Sequence, residues 1–215
     1  MAELDSIVHE YGTLPRHTLA WLHGLGADGS DFEPVFEQLL GQRSIGWRVV
    51  LPHAPLRAVT INGGQRMRAW YDFLSMEFTR GESSDDIAQS VAMVMDLLRE
   101  ERARLGEGGK LILGGFSQGG VIALEAGLRA EARVDGVVAF STYLWRDVPA
   151  SQTRPPVFQA HGEHDPVIPL ALGVAAHRAL QAADVDSVFK TYPMGHSVCD
   201  AELADLDAWL WKQAY

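Results

Sequence analysis

The sequence predicts an α/β domain in which a mostly parallel, twisted central sheet is covered by helices on both faces. Short apolar runs typical of buried strands recur along the chain, helical patterns separate most of them, and 47% of the 215 residues are hydrophobic. No repeat, low-complexity tract or change of composition divides the sequence. We therefore expect residues 1–215 to form a single domain without a separate cap domain.

Strands are predicted from runs rich in apolar and β-branched residues, at 17–22, 47–51, 110–113, 134–140, 156–160 and 187–192. The clearest helix, over 84–105, has Ser84 as its predicted N-cap, acidic residues in its first turn and an apolar stripe at helical spacing. A final helix is predicted over 200–212, and helical spacing prevents Trp209 and Trp211 from sharing one of its faces.

Charge and composition exclude several classes of function. A formal net charge of −10 argues against a phosphate-binding surface, so no nucleic-acid partner is expected. The N-terminus lacks a basic region followed by an apolar core, and no apolar run approaches the length of a transmembrane segment. Cys199 is the single cysteine, which excludes an intrachain disulfide and a multi-cysteine metal site. We expect a cytoplasmic protein without metal or cofactor.

The tract at 110–120 places a serine between two glycines, directly after an apolar run and before an apolar helix; it reads KLILGGFSQGG. A G-x-S-x-G tract in this context is typical of a nucleophile elbow, a strained strand-to-helix turn. Side chains at Gly115 and Gly119 would collide there with the neighbouring strand and helix. Ser117 is therefore the candidate nucleophile. The alternative is a glycine-rich turn whose serine only caps the helix.

A serine nucleophile needs a histidine base and a carboxylate that orients the histidine. Asp165 follows the predicted strand at 156–160, and His196 follows the one at 187–192. Both thus lie where a parallel sheet presents its ligand-binding loops. The tract HGEHD at 161–165 could also be interpreted as metal ligands, but its spacing matches no ligand motif.

The tract at 22–32, which follows the first strong strand, reads LHGLGADGSDF. Acyl transfer requires backbone N–H groups aimed at the developing oxyanion. Gly24 and Gly26 allow the chain to turn its amides toward the site, so we predict Leu25 as one donor. Gln118, the residue after the candidate nucleophile, is the predicted second donor. The tract lacks a phosphate-loop pattern, and its two aspartates would repel an anion.

The connection at 52–81 is long for a compact domain and carries a dense group of large side chains. Loops of this length are usually functional. One interpretation is a satellite hydrophobic cluster, and the other is an acyl-binding wall beside the active site; both can hold, because binding loops must themselves be packed. The predicted substrate-binding residues are Trp70, Tyr71, Phe73, Leu74 and Met76.

Together these tracts closely resemble the small carboxylesterase, lysophospholipase and acyl-protein thioesterase family of α/β-hydrolases, and most nearly its bacterial carboxylesterases. The resemblance is carried by LHGLGADGSDF at 22–32, INGGQRMRAWYD at 61–72, GGFSQGG at 114–120, HGEHDPVIP at 161–169 and YPMGHSV at 192–198. It implies the α/β-hydrolase fold. It also implies Ser117 as nucleophile, His196 as acid and base, Asp165 as its orienting carboxylate, and an oxyanion hole formed by the amides of Leu25 and Gln118.

The resemblance further implies a serine carboxylesterase that hydrolyses short- to medium-chain acyl esters. An acyl-protein thioesterase or lysophospholipase with the same residues is the alternative, and transfer of the acyl group to another acceptor stays open. Part of the loop at 61–78 should line an acyl groove with little cover. Trp145 stands where such relatives carry a smaller residue or proline, which affects the size of that groove. A non-catalytic binding protein is disfavoured because the catalytic triad of Ser117, His196 and Asp165 is complete. The oligomeric state is not predicted, and a homodimer remains open.

Overall fold

The computed structural model describes residues 4–41, 45–75, 83–149 and 154–214. Within these ranges the strands are, in chain order, β1 (Ser6–Tyr11), β2 (Thr13–Leu22), β3 (Ile45–Pro52), β4 (Leu56–Val59), β5 (Gln65–Arg68), β6 (Leu111–Phe116), β7 (Gly136–Phe140), β8 (Val157–Gly162) and β9 (Ser187–Tyr192). The α-helices are α1 (Glu33–Leu40), α2 (Ser84–Arg104), α3 (Gln118–Gly127), α4 (Leu170–Ala182) and α5 (Asp200–Ala214).

The main sheet has seven strands in the order β1-β3-β2-β6-β7-β8-β9. Every neighbouring pair is parallel except β1 with β3. The predicted mostly parallel sheet is therefore confirmed, and each predicted strand lies in it. Because all the parallel strands end at the same edge, this edge collects the loops that follow β2, β6, β8 and β9.

Helices cover both faces of the sheet, as the sequence predicts. Alternate residues of β2 enter two separate cores: Leu19 and Trp21 face one, and Ala20 and Leu22 the other. Helices α1 and α5 pack on the first core, and α2, α3 and α4 on the second. On α5, Trp209 is buried whereas Trp211 is 49% exposed. The two tryptophans thus lie on different faces, as helical spacing requires.

Two features of the fold differ from the sequence prediction. Strand β1 was not predicted; its side chains alternate between half-buried and exposed, because it pairs only with β3 at the edge of the sheet. Within the connection predicted at 52–81, β4 and β5 form a two-stranded antiparallel sheet.

The predicted N-cap of α2 is wrong by one residue. The hydroxyl of Ser83, not that of Ser84, accepts a hydrogen bond from the Asp86 backbone N–H. Consecutive serines offer the same capping chemistry, so the residue pattern does not distinguish the two positions.

No helix in the described ranges is both long and apolar enough to cross a membrane. The single-domain organisation, the cytoplasmic location and the lack of a nucleic-acid partner stay predictions from the sequence, and a homodimer stays open.

A buried carboxyl group lies in the first turn of α5, close to the end of the loop that carries His196. Glu202 is fully buried, and among the described residues no hydrogen bond of normal geometry reaches either of its side-chain oxygens. Burial raises the pKa of Glu202 to about 8, and the Cys199 backbone lowers it only in part. The group is therefore neutral in the folded protein near pH 7.

We expect Glu202→Gln to stabilise the protein at alkaline pH. In the wild type the folded-state pKa lies above the ordinary value of 4.5. The stability associated with the neutral form is therefore complete below that value and is lost as the pH rises through about 8. The variant should gain about 2 kcal/mol at high pH and little near pH 5, measured by urea unfolding. Glu107→Gln, at an exposed position, is the control. If the free energy of unfolding depends on pH in the same way in wild type and Glu202→Gln, the raised pKa of Glu202 is contradicted.

Candidate active site

Ser117 lies at the sharp turn between β6 and α3. Its backbone has φ 55° and ψ −120°, a conformation that is costly for a residue with a side chain. A Cβ atom added at Gly115 would lie 2.5 Å from the backbone of Gly119, and one added at Gly119 would lie 2.2 Å from the carbonyl oxygen of Leu22. Glycine at these positions lets the helix lie against the ends of β2 and β6.

A continuous chain of hydrogen bonds joins Ser117, His196 and Asp165. The distance from His196 Nε2 to Ser117 Oγ is 3.0 Å, and that from His196 Nδ1 to Asp165 Oδ2 is 2.7 Å. With Nδ1–H donating to the carboxylate, Nε2 is free to accept the serine proton. Along the chain, His196 lies 79 positions after Ser117 and 31 positions after Asp165. The sheet brings them together because each follows the carboxyl end of a parallel strand.

The turn after β8 fixes Asp165. Its Oδ1 accepts hydrogen bonds from the backbone N–H groups of Val167 and Ile168, at 2.8 and 2.9 Å. His161 Nε2–H donates to the Ile168 carbonyl at 2.8 Å, and burial lowers the pKa of this histidine. His161 is thus a neutral, buried group that supports the turn. The Asp165 side chain is fully buried, and the ring of Phe116 packs against His196 at a centroid distance of 4.8 Å.

Leu25 and Gln118, the predicted oxyanion donors, both line a cavity that also contains Ser117 and His196. Gln118 is the first residue of α3, so its amide N–H has no acceptor within the helix. Leu25 belongs to the loop that follows β2. In this loop Gly24 packs beside the elbow, where an added Cβ would lie 3.3 Å from the Phe116 ring and 3.6 Å from Ser117 Cβ.

The ring of His23 supports the loop that carries Leu25. His23 Nδ1–H donates to the Gly24 carbonyl at 2.7 Å, and Nε2 accepts from the Ala54 backbone N–H at 3.0 Å. These bonds specify the neutral ring with its proton on Nδ1. Burial lowers the pKa of His23 to about 4, so the ring is neutral at physiological pH.

The cavity has a volume of about 350 Å³ and a mostly apolar wall. Of the predicted substrate-binding residues, Tyr71 and Phe73 line it. Trp70 is fully buried and is not among the lining residues. Leu74 is 41% exposed and also lies outside the lining. Met76 falls outside the described residues.

Several lining residues were not predicted: Ala27, Asp31, Phe116, Tyr143, Val167 and Ile168. Tyr143 follows β7, and the last two follow β8, so the rule that placed Asp165 and His196 also applies to them. Trp145 is not among the lining residues; it packs on the core that contains α2 and α3. Its size therefore does not narrow the cavity, and Tyr143 occupies the wall instead.

The sequence was compared with known proteins and families. The family model described as phospholipase/carboxylesterase matches residues 5–213. The chain belongs to this family. It is therefore a carboxylic ester hydrolase, and the architecture is that of the α/β-hydrolases.

Similar phospholipase/carboxylesterase family members include acyl-protein thioesterase 1 of Neurospora crassa, 34% identical over 92% of this chain and 88% of the relative. Acyl-protein thioesterase 1 of Mycosarcoma maydis is 36% identical, over 94% of this chain and 92% of the relative. The crystal structure of SOBER1 from Arabidopsis thaliana superposes with a TM-score of 0.84 at 27% identity, over 93% of this chain and all of that one.

The close packing at the turn predicts that one methyl group added at Gly119 strongly destabilises the folded protein. Gly119→Ala places its Cβ against the backbone of Leu22 and His23, so we expect a loss of at least about 3 kcal/mol in the free energy of unfolding. Gly106→Ala is the matched control, because nothing lies within 4 Å of a Cβ built there. Urea unfolding measures both variants, and equal transition midpoints would contradict the steric explanation.

Proposed function

We propose that this family member hydrolyses carboxylic esters with short- to medium-chain acyl groups by two-step acyl transfer on Ser117. The observation that carries the proposal is the unbroken chain of hydrogen bonds from Ser117 through His196 to Asp165, at the wall of an apolar cavity. In this arrangement the histidine can remove the serine proton while the buried carboxylate stabilises the imidazolium that forms.

In the first step, His196 Nε2 takes the proton as Ser117 Oγ attacks the ester carbonyl. The oxygen of the tetrahedral intermediate accepts hydrogen bonds from the amides of Leu25 and Gln118. The intermediate collapses as His196 protonates the leaving alkoxide or thiolate, which leaves an acyl group on Ser117. Water, activated by the same histidine, then attacks the acyl-enzyme and releases the carboxylic acid and the free serine.

The composition of the cavity supports an apolar acyl group. Leu25, Phe73, Val167 and Ile168 contribute aliphatic and aromatic surface, and Tyr71 contributes an aromatic ring. Burial of apolar acyl surface supplies binding energy without a specific polar contact.

Hydrolysis of protein thioesters is the second candidate function. It is supported by two relatives at 34% and 36% identity that are acyl-protein thioesterases. The same residues and steps serve a thioester, because only the leaving atom changes.

Removal of the candidate nucleophile should abolish turnover. Ser117→Ala is expected to lower kcat/KM for p-nitrophenyl butyrate by about 10³-fold or more and to prevent labelling by a fluorophosphonate probe. Ser197→Ala is the control, since this exposed serine directly follows His196. Circular dichroism checks that both variants fold. Retention of activity or labelling in Ser117→Ala would remove the basis of the proposal.

Asp31 should bias the enzyme toward substrates with a cationic leaving group. Among the described residues that line the cavity, it is the one with a carboxylate side chain. Asp31 is exposed at the surface, and partial desolvation together with the neighbouring Asp28 raises its pKa. We place it on the leaving-group side because it lines the same cavity as His196, the residue that protonates the leaving group in the proposed mechanism.

The test compares butyrylthiocholine with its uncharged isostere, in which a tert-butyl group replaces the trimethylammonium group. Asp31→Asn should lower the ratio of kcat/KM values, cationic over neutral, by about two- to fivefold at low salt, since the carboxylate is solvent-exposed and screened. Asp186→Asn is the control. It makes the same change of charge at the amino end of β9, away from the carboxyl ends of the strands where the site lies. An equal ratio in wild type and Asp31→Asn would exclude this role.

A further inference from the structure

The two candidate oxyanion donors lie on separate segments of the chain. Leu25 follows β2, and Gln118 begins α3. The sheet aligns the two strands as far as the pair Leu22 and Gly115, but the loop that carries Leu25 continues beyond this last pairing. Donors are effective only when they lie about 2.7–3.1 Å from the position of the oxyanion. Some contact outside the sheet must therefore fix the distance between the two segments.

Trp70 makes such a contact in addition to the close packing at Gly119, because it is hydrogen-bonded to both segments. Its indole Nε1–H donates to the carbonyl oxygen of His23 at 2.9 Å, two residues before Leu25. Its backbone N–H donates to the side-chain Oε1 of Gln118 at 2.7 Å. The residue is fully buried, and its ring packs against that of His23 at a centroid distance of 5.5 Å.

Trp70 is itself held by further hydrogen bonds. The Ser90 hydroxyl, from α2, donates to the Trp70 carbonyl. The side-chain amide of Gln118 completes a second bond to this segment, since its Nε2–H donates to the Tyr71 carbonyl at 2.7 Å. Ser90 is fully buried and Gln118 is 4% exposed, so these bonds are shielded from water. The backbone of Trp70 is thus attached to α2 and α3, and its indole N–H is bound to His23.

We propose that Trp70 is a positioning residue that sets the distance between the Leu25 and Gln118 amides. The inference rests on the proposed function, in which these amides hold the oxyanion. Trp70 does not line the cavity, so its effect on the reaction passes through His23 and Gln118 and not through contact with substrate. The sequence predicts Trp70 as a substrate-binding residue, whereas its hydrogen bonds favour a positioning role.

Trp70→Phe tests the inference, since it keeps an aromatic ring and removes the N–H that reaches His23. We expect kcat to fall about 10- to 100-fold, less than the roughly 10²- to 10³-fold cost of removing an oxyanion donor, because both amides remain and only their separation changes; KM should change less than about twofold. A trifluoromethyl ketone forms a tetrahedral adduct with the serine and so reports on the same stabilisation. Its affinity should fall by about the same factor as kcat/KM.

Trp21→Phe is the matched control for lost packing. Trp21 is equally buried, and its Nε1–H has no hydrogen-bond partner among the described residues. This variant should lower the melting temperature without changing kcat or the affinity for the ketone. Ser90→Ala is a second probe, because it loosens Trp70 without altering the indole. It should lower kcat and ketone affinity together, by a smaller factor, and it decides the question if Trp70→Phe does not fold.

The outcomes separate this inference from the proposed function. If Ser117→Ala is active, the proposed mechanism fails. If Ser117→Ala is inactive but Trp70→Phe retains full kcat and ketone affinity, only the positioning role is overturned. A higher KM with unchanged kcat would instead identify Trp70 as part of the substrate wall. A fall in kcat without a fall in ketone affinity would also overturn the inference.

Discussion

The close contact between α3 and the end of β2 is the constraint on which the rest of the site depends. Two glycines let the helix lie so near the sheet that a single methyl group at Gly119 would overlap the carbonyl of Leu22. This contact holds Ser117 in its strained conformation and brings the start of α3 beside the loop that carries Leu25. The backbone strain is thus balanced by the packing of α3 on the core that it shares with α2 and α4.

The sheet topology brings the other residues of the candidate active site to this local contact. Parallel strands place the ends of β6, β8 and β9 at one edge, where Ser117, Asp165 and His196 come within hydrogen-bonding distance. Short contacts then hold two of these side chains: backbone N–H groups orient the aspartate, and the ring of Phe116 from β6 packs on the histidine. Rigid strands supply the coarse alignment, and these short contacts refine it.

The parts of the structure that follow from periodicity and local sterics could be predicted from the sequence. The parallel sheet, the two layers of helices and the meeting of Ser117 with Asp165 and His196 are of this kind. Edge strand β1 could not be predicted because half-buried strands lack a continuous apolar run. The place of Trp70 could not be predicted either. The sequence around a tryptophan in an aromatic loop does not show how the side chain is used. The same residues occur whether the ring faces a cavity or its N–H donates a hydrogen bond to a buried carbonyl.

The hydrogen bonds of Trp70 also restrict how the length of this loop can change. Tyr71 and Phe73, which line the cavity, lie within three positions of a residue whose N–H, C=O and indole groups are all bound to other elements. Substitution at the two lining positions can reshape the acyl pocket and leave those bonds in place, whereas an insertion or deletion beside them would shift the register of the whole segment. By contrast, Gly63 and Gly64, at the turn between β4 and β5, have nothing within 4 Å of an added Cβ. Insertions that diversify this enzyme are therefore compatible with the hairpin tip but not with the segment that carries Trp70.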